Sequence, residues 1–409
     1  MAEAAAQFQK GLDQLALLPD SPERQRQELE FRVGLGASLM VVKGFAAPET
    51  GHAYAQARTL WKGLGFPSEF LQIAFGQSEY DINRGELHLA QRLAEDLLLL
   101  SRERNDDAGL VLGHYAAGRN LMFVGRFASS RSHLEDALAL YHHILHRELV
   151  RQTGFDLYVS SGSHLGVLLF CLGYPDQALA RSSEAIAEAR RLAHPPSLAL
   201  SLSIGSRLLS LVGGNSTLDE LASELLSVAD EQGFSVYRAS GRILNGWVKI
   251  TNGDVTGGTS LLRRGSNAYR TTGSKAWVPH NIALLATACE IGGQVQEAAA
   301  LLEDASQMIE RTGEHWFAAE LNRLKGQLLL RQGQSEAAEE LYRKALAIAG
   351  EQEAKLWELR AAASLARLRR NQDQAAARDL LAPIYSWFTE GFDTPDLKDA
   401  KALLDALDA

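Results

Sequence analysis

Glycine returns on a fixed schedule. Gly44, Gly85, Gly125, Gly173, Gly213, Gly253, Gly293 and Gly333 stand 41, 40, 48, 40, 40, 40 and 40 residues apart, and one further step of 40 reaches the polar run Asn371-Gln372-Asp373-Gln374. Between these punctuation marks the chain reads as amphipathic helix. Leu321, Leu324, Leu328 and Leu329 recur at helical spacing up to Gly333, and Ala337, Ala338, Leu341, Ala345, Leu346 and Ile348 draw a second apolar stripe beyond it. Two such helices joined by a tight turn make an antiparallel pair with apolar surface left over. Only another pair can cover that surface, so the chain is constrained to stack copies of one unit.

A second regularity fixes how the two helices of a unit meet. Seven residues before each turn stand Ala37, Ser78, Gly118, Gly166, Ser206, Gly246, Ala286, Gly326 and Ala366, all small. Twelve residues after it, Ala137, Ala185, Gly265, Ala305 and Ala345 are small as well. Helix axes approach to about 8–10 Å only where no bulky side chain intervenes, so these positions mark a repeated crossing point. The schedule resembles that of tetratricopeptide-type repeats, lengthened from about 34 to about 40 residues. It predicts an all-α, right-handed α-solenoid of about nine tetratricopeptide-like helix pairs.

The organisation expected along the chain follows. Residues 1–21 form an N-terminal helix that reads as the second helix of a pair whose first is missing, the mark of a degenerate cap or of a cut from a longer protein. Repeats one to three occupy 22–141, an irregular insertion 142–155 absorbs the one long interval and should break the superhelix locally, and repeats four to nine occupy 156–396. Residues 397–409, with Leu397, Ala400, Leu403, Leu404 and Leu407 on one face, form a capping helix for the open end.

Alanine, leucine, glutamate, glutamine and arginine dominate, a helical composition that leaves no room for a sheet domain. A net charge of −9 argues against nucleic acid as a partner. No apolar run reaches the roughly 20 residues that span a bilayer, and no signal peptide is indicated. Cys171 and Cys289 sit alone on apolar helix faces as reduced, buried residues, which points to the cytoplasm.

Several stretches resemble the C-terminal helical-repeat region of large bacterial signalling proteins that carry an adenylate-cyclase-like domain and a predicted ATPase module. They are ELEFRVGLGASLMVVKGFAAPE, GYPDQALARSSEAIAEARRLAHP, GEHWFAAELNRLKGQLLL and DLLAPIYSWFTEGFDTPDLKDAKALL. A looser resemblance is to the repeat domain of signal-transducing ATPase regulators. The resemblance implies a module that senses a ligand and restrains an upstream ATPase or cyclase domain. Those domains are absent from these residues, which contain no GxxxxGK[ST] loop and no recognisable pair of metal-binding cyclase carboxylates.

Candidate binding residues come from the first helices. Six residues before the turn, the position expected to face the concave groove, stand Glu79, Arg119, Val167, Arg207, Trp247, Thr287 and Gln327. Polar neighbours on the same helices complete a candidate groove set of Glu79, Asp81, Asn83, Tyr115, Arg119, Asn120, Ser163, His164, Arg207, Arg242, Asn245 and Trp247. Guanidinium forks bind carboxylate and phosphate bidentately, so the expected ligand is a peptide, a protein or a small anionic molecule. Arg119 and Arg207 require an acid to neutralise them: Glu79, Asp81 or a bound anionic group. The expectation is the ligand, with the carboxylates orienting one arginine. An enzyme built on the scaffold is the alternative, with His164, Glu79 and Asp81 as its candidates, although Glu79 and Asp81 are two apart on a helix and point apart. A plain protein–protein scaffold is a third reading. His142, His143 and His146 have metal-compatible spacing but only Glu148 as a further ligand, so neither metal nor cofactor is expected.

Overall fold

The computed structural model describes residues 2–67, 70–142, 147–213 and 215–408. Among them are 21 helices and no strand. Eighteen helices form nine antiparallel pairs: α2 (Pro22–Val42) with α3 (Pro48–Gly63), α4 (Gln72–Arg84) with α5 (Leu87–Arg104), α6 (Asp107–Val124) with α7 (Phe127–Leu140), α9 (Leu157–Leu172) with α10 (Pro175–Leu192), α11 (Pro195–Val212) with α12 (Asn215–Gln232), α13 (Ser235–Thr251) with α14 (Val255–Thr271), α15 (Val278–Ile291) with α16 (Val295–Thr312), α17 (Ala318–Arg331) with α18 (Ser335–Glu351), and α19 (Lys355–Arg369) with α20 (Gln374–Ser386). Three stand outside the pairs: α1 (Ala2–Leu15), α8 (Arg147–Thr153) and α21 (Pro395–Asp408).

The turn glycines end the first helices because the chain must pass through the left-handed region there. All eight have φ between 74° and 110°, a conformation that costs glycine nothing and other residues about 1–2 kcal/mol. Aspartates at Asp106, Asp156, Asp254 and Asp373 start helices by accepting from the backbone N–H three residues on. The small positions sit where the paired helices touch. At Gly246, a Cβ would stand 2.8 Å from the Leu262 backbone nitrogen and 2.9 Å from the Gly258 carbonyl oxygen. The pairs stack as an all-α right-handed solenoid.

The long interval does not break the stack. α7 packs directly against α9, and within the described part of the interval residues 147–153 fold as α8, which turns back onto α2 and α4. Leu149 on α8 is buried, and Phe155 just beyond it stacks on Phe45 with 5.3 Å between centroids. Residues 143–146, which carry His143 and His146 of the histidine run, lie outside the described residues. Among the described residues no three histidine, cysteine or acidic side chains gather as a metal site, and no helix is long and apolar enough to cross a membrane.

The superhelix is wound tightly enough to touch itself. The turns after the first helices of pairs one to four each meet the beginning of the first helix five pairs later. Ser235 Oγ approaches the Lys43 carbonyl, the Lys275 amide donates 2.7 Å to the Asn83 carbonyl, and the Trp316 amide donates 3.1 Å to the Phe123 carbonyl. A side chain at Gly173 would run into Lys355, and Arg360 Nη2 donates 2.6 Å to the carbonyl of Leu211, four pairs earlier. The concave side expected from the sequence is closed over along this seam.

Candidate functional site: the superhelix axis

Burial follows from that winding. In α9 every residue except Tyr158 is buried, and in α6 nearly all are. A helix surrounded on all sides has no wet face to offer. Glu79, Arg119 and Arg207 are 2%, 5% and 1% exposed, so the expected wet middle of the groove is an interior.

Polar interiors need partners, and the sequence supplies them. Arg119 Nη1 on α6 donates 2.5 Å to Glu79 Oε2 on α4, and its guanidinium lies over the rings of Phe45 and Phe123. Burial works against the Arg119 charge, and the Glu79 carboxylate together with Tyr115 and Tyr237 raises its pKa again. Arg207 on α11 is satisfied differently. Nη1 donates 2.6 Å to Asn281 Oδ1 and Nη2 donates 3.1 Å to Ser240 Oγ, while Trp277 and Tyr269 present their rings at 5.2 and 5.9 Å. Burial lowers its pKa. His164 Nδ1 pairs with the Ser160 carbonyl at 2.8 Å, and burial plus the nearby Arg119 charge holds its pKa down to about 3.

These side chains surround a central cavity of about 40 Å³. Of the candidate groove residues, Glu79, Asn83, Tyr115, Arg119, His164 and Arg207 come together there. Trp247 lines a separate chamber of about 310 Å³ toward the C-terminal end. The remaining five take other duties. Asp81 accepts from Gln77, and burial raises its pKa to about 6. Asn120 donates to Gln91, Ser163 to the Val159 carbonyl, and Asn245 to the Ala222 and Gly241 carbonyls. Arg242 is half-buried and lines none of these spaces. The trio His164, Glu79 and Asp81 is not brought together.

Two larger chambers lie outside the central cavity. Toward the N-terminus a chamber of about 1360 Å³ lies among α1, α2 and the loops around Tyr141 and Asp156, with Phe8, Phe31 and Phe70 in its wall. The C-terminal chamber has Trp247, Leu284, Phe317 and Leu324 as its apolar part. Its charges are paired: Arg323 with Glu320, Arg360 with Glu320 and Asp396, and Arg367 with Asp399.

Several residues of the axis escape the groove positions chosen from sequence. Tyr237, Trp277, Phe317 and Trp357 stand 40 residues apart at the start of the last four complete first helices. Two of them seal the seam: Trp277 packs edge-on against Phe123 at 5.1 Å and Trp357 against Phe170 at 5.9 Å. That aromatic recurrence was readable. Glu314, which accepts from the Trp277 amide and from Trp316 Nε1, and the Arg207 partners His280 and Asn281 carry no such periodic signal.

Residues 279–351 match the tetratricopeptide repeat family. The chain is 23% identical over 343 residues to an uncharacterized protein of Rhizobium meliloti (strain 1021), an alignment covering 83% of this chain and 33% of that protein, so the chain spans about a third of its length. Among solved structures, the crystal structure of a Rap protein complexed with competence and sporulation factor is similar over 93% of this chain and 99% of that one, at a TM-score of 0.60 and 11% identity. The crystal structure of yeast Tom70 is similar over 100% of this chain and 96% of that one, at a TM-score of 0.45 and 11% identity. The family match and the likeness to the Rap protein's fold together show that the chain contains a tetratricopeptide-like helical-repeat region.

Proposed function

We propose that this chain is a non-catalytic recognition module that takes a peptide or protein segment into the C-terminal chamber of its axis. The observation that carries the reading is the character of that chamber. It has a volume of about 310 Å³, an apolar part built on Trp247 and Leu324, and three arginines already matched by Glu320, Asp396 and Asp399. Its volume is at the small end of clefts that hold ligands, and its wall joins that apolar part to charged side chains. Charges already paired within the wall favour a peptide chain over a strongly anionic molecule. The solenoid's likeness to a Rap protein crystallised with competence and sporulation factor supports the same reading at the level of fold.

The enzyme reading loses its candidates. His164 is committed to a backbone carbonyl and Glu79 to Arg119, while Asp81 lines neither the cavity nor the C-terminal chamber. The resemblance to cyclase- and ATPase-bearing signalling proteins, with a relative about three times as long, supports a role in restraining such an output domain in the cytoplasm.

The test is a screen of an unbiased peptide library against the full chain, followed by titration of the hits against Trp247→Ala and Leu324→Arg. Both variants should keep the melting temperature within a few degrees and weaken the selected peptides at least ten-fold. Peptides that bind both variants as tightly as the parent would place recognition elsewhere.

A further inference from the structure

Arg207 is buried with its charge unmatched. Among the described residues no carboxylate reaches it at ion-pair distance; its partners Asn281, Ser240 and His280 are neutral, burial holding His280 well below the usual histidine range. Glu314, the acid whose field reaches it, spends its Oε1 on the Trp277 amide and Trp316 Nε1. An isolated charge taken out of water is costly unless something compensates it. Arg207 and Arg119 both line the central cavity, which Glu79 also faces, so two guanidiniums stand against one carboxylate. Three residues of its lining carry buried polar atoms with no partner: Arg119 Nε, Glu79 Oε1 and the hydroxyl of Tyr237, a residue only 6% exposed.

We propose that the central cavity is a binding site for one halide-sized monovalent anion, held between the Arg207 and Arg119 guanidiniums and the Tyr237 hydroxyl. The cavity of about 40 Å³ accepts an ion little larger than water. It is too small for a phosphate. Phe45, Leu200, Ile204, Val236 and Trp277 make up the apolar part of the lining, which suits a weakly hydrated halide better than an oxyanion that needs several donors. The anion completes the charge balance of the sealed middle, and it stands independently of peptide recognition in the C-terminal chamber.

The experiment uses the full chain dialysed into sodium gluconate, with chloride or bromide titrated at constant ionic strength while thermal unfolding is followed. The melting temperature should rise and saturate as for one site, and phosphate should give no such rise. Arg207→Gln should abolish the response. That substitution also breaks the contacts to Asn281 and Ser240, so Tyr237→Phe, which removes only an unpartnered hydroxyl, is the second variant; its half-saturating chloride concentration should be at least three-fold higher. A crystal soaked in bromide should show an anomalous peak between the two guanidiniums. A cavity holding water only, or a chloride response unchanged in Tyr237→Phe or in a folded Arg207→Gln, would overturn the assignment.

Discussion

Arg119 Nη1 donates to Glu79 Oε2 across 40 residues, so an ion pair joins the same position of two successive repeats. Both side chains are almost wholly buried. The counter-charge of Arg119 is therefore internal: it is Glu79, one of the acids that the sequence offers beside a ligand. Removing one member leaves the other charged in the interior, and Arg119→Ala should cost about 3–5 kcal/mol in urea unfolding. The double variant Glu79→Leu, Arg119→Met should recover most of that loss. A single Arg119→Ala within about 1 kcal/mol of the parent would mean that the pair is not an ion pair in solution.

Gly246 and Gly326 hold the same place in repeats six and eight but face different obstacles. A Cβ at Gly246 meets backbone atoms of Leu262 and Gly258, whereas at Gly326 it first meets the Tyr342 ring at 2.7 Å. A ring can turn and backbone cannot. Overpacking costs about 1–3 kcal/mol, and Gly246→Ala should fall near the top of that range with Gly326→Ala below it. Equal melting temperatures for the two alanine variants would contradict the difference in packing.

These crossing points show which parts of the fold are legible in a sequence. Turn glycines and small contact residues act within one unit, where 40 residues of chain contain both partners. The winding of the superhelix does not. Asn83 meets Lys275, and Leu211 meets Arg360, through contacts that no local pattern announces. Without the winding, Glu79 and Arg207 read as groove residues awaiting a ligand. Their burial depends on Trp277 and its aromatic counterparts arriving from another turn of the solenoid.

Burial raises the Glu314 carboxyl to about 8, with Trp316 Nε1, the Trp277 amide, Arg207 and Arg119 pulling the other way. The folded chain thus holds a proton here that the unfolded chain, with an ordinary glutamate, releases near pH 4.5. Linkage then makes this group's contribution fall as pH rises from about 4.5 to about 8, by of order a few kcal/mol in all. Glu314→Gln keeps the neutral form, so its stability relative to the parent should climb across that window and level off above it. A difference in melting temperature that stays constant from pH 5 to 9 would show that the carboxyl does not titrate there.

Truncation after Asn371 removes α20 and α21, whose Leu381, Leu397, Leu403 and Leu404 are buried. It also strips Asp396 from Arg360 and removes Glu390, which caps α10 by accepting from the Asp176 and Gln177 amides. Loss of stability and aggregation should follow. Amide exchange in the first turn of α10, some 200 residues away, should accelerate along with that of α19. Unchanged protection at Asp176 and Gln177 would show that the seam is open in solution.

The five-pair spacing of the seam also limits how such a chain can change over time. An open solenoid tolerates gain or loss of a unit, because each unit meets only its neighbours. Here the turn carrying Asn83 must find Lys275, and the one carrying Phe123 must find Trp316. Deleting one internal unit would slide the upstream turns onto partners one place out of step, so that Asn83 faced the segment built for Phe123. Divergence by whole-unit duplication or excision is closed to this region unless the aromatic ladder shifts with it.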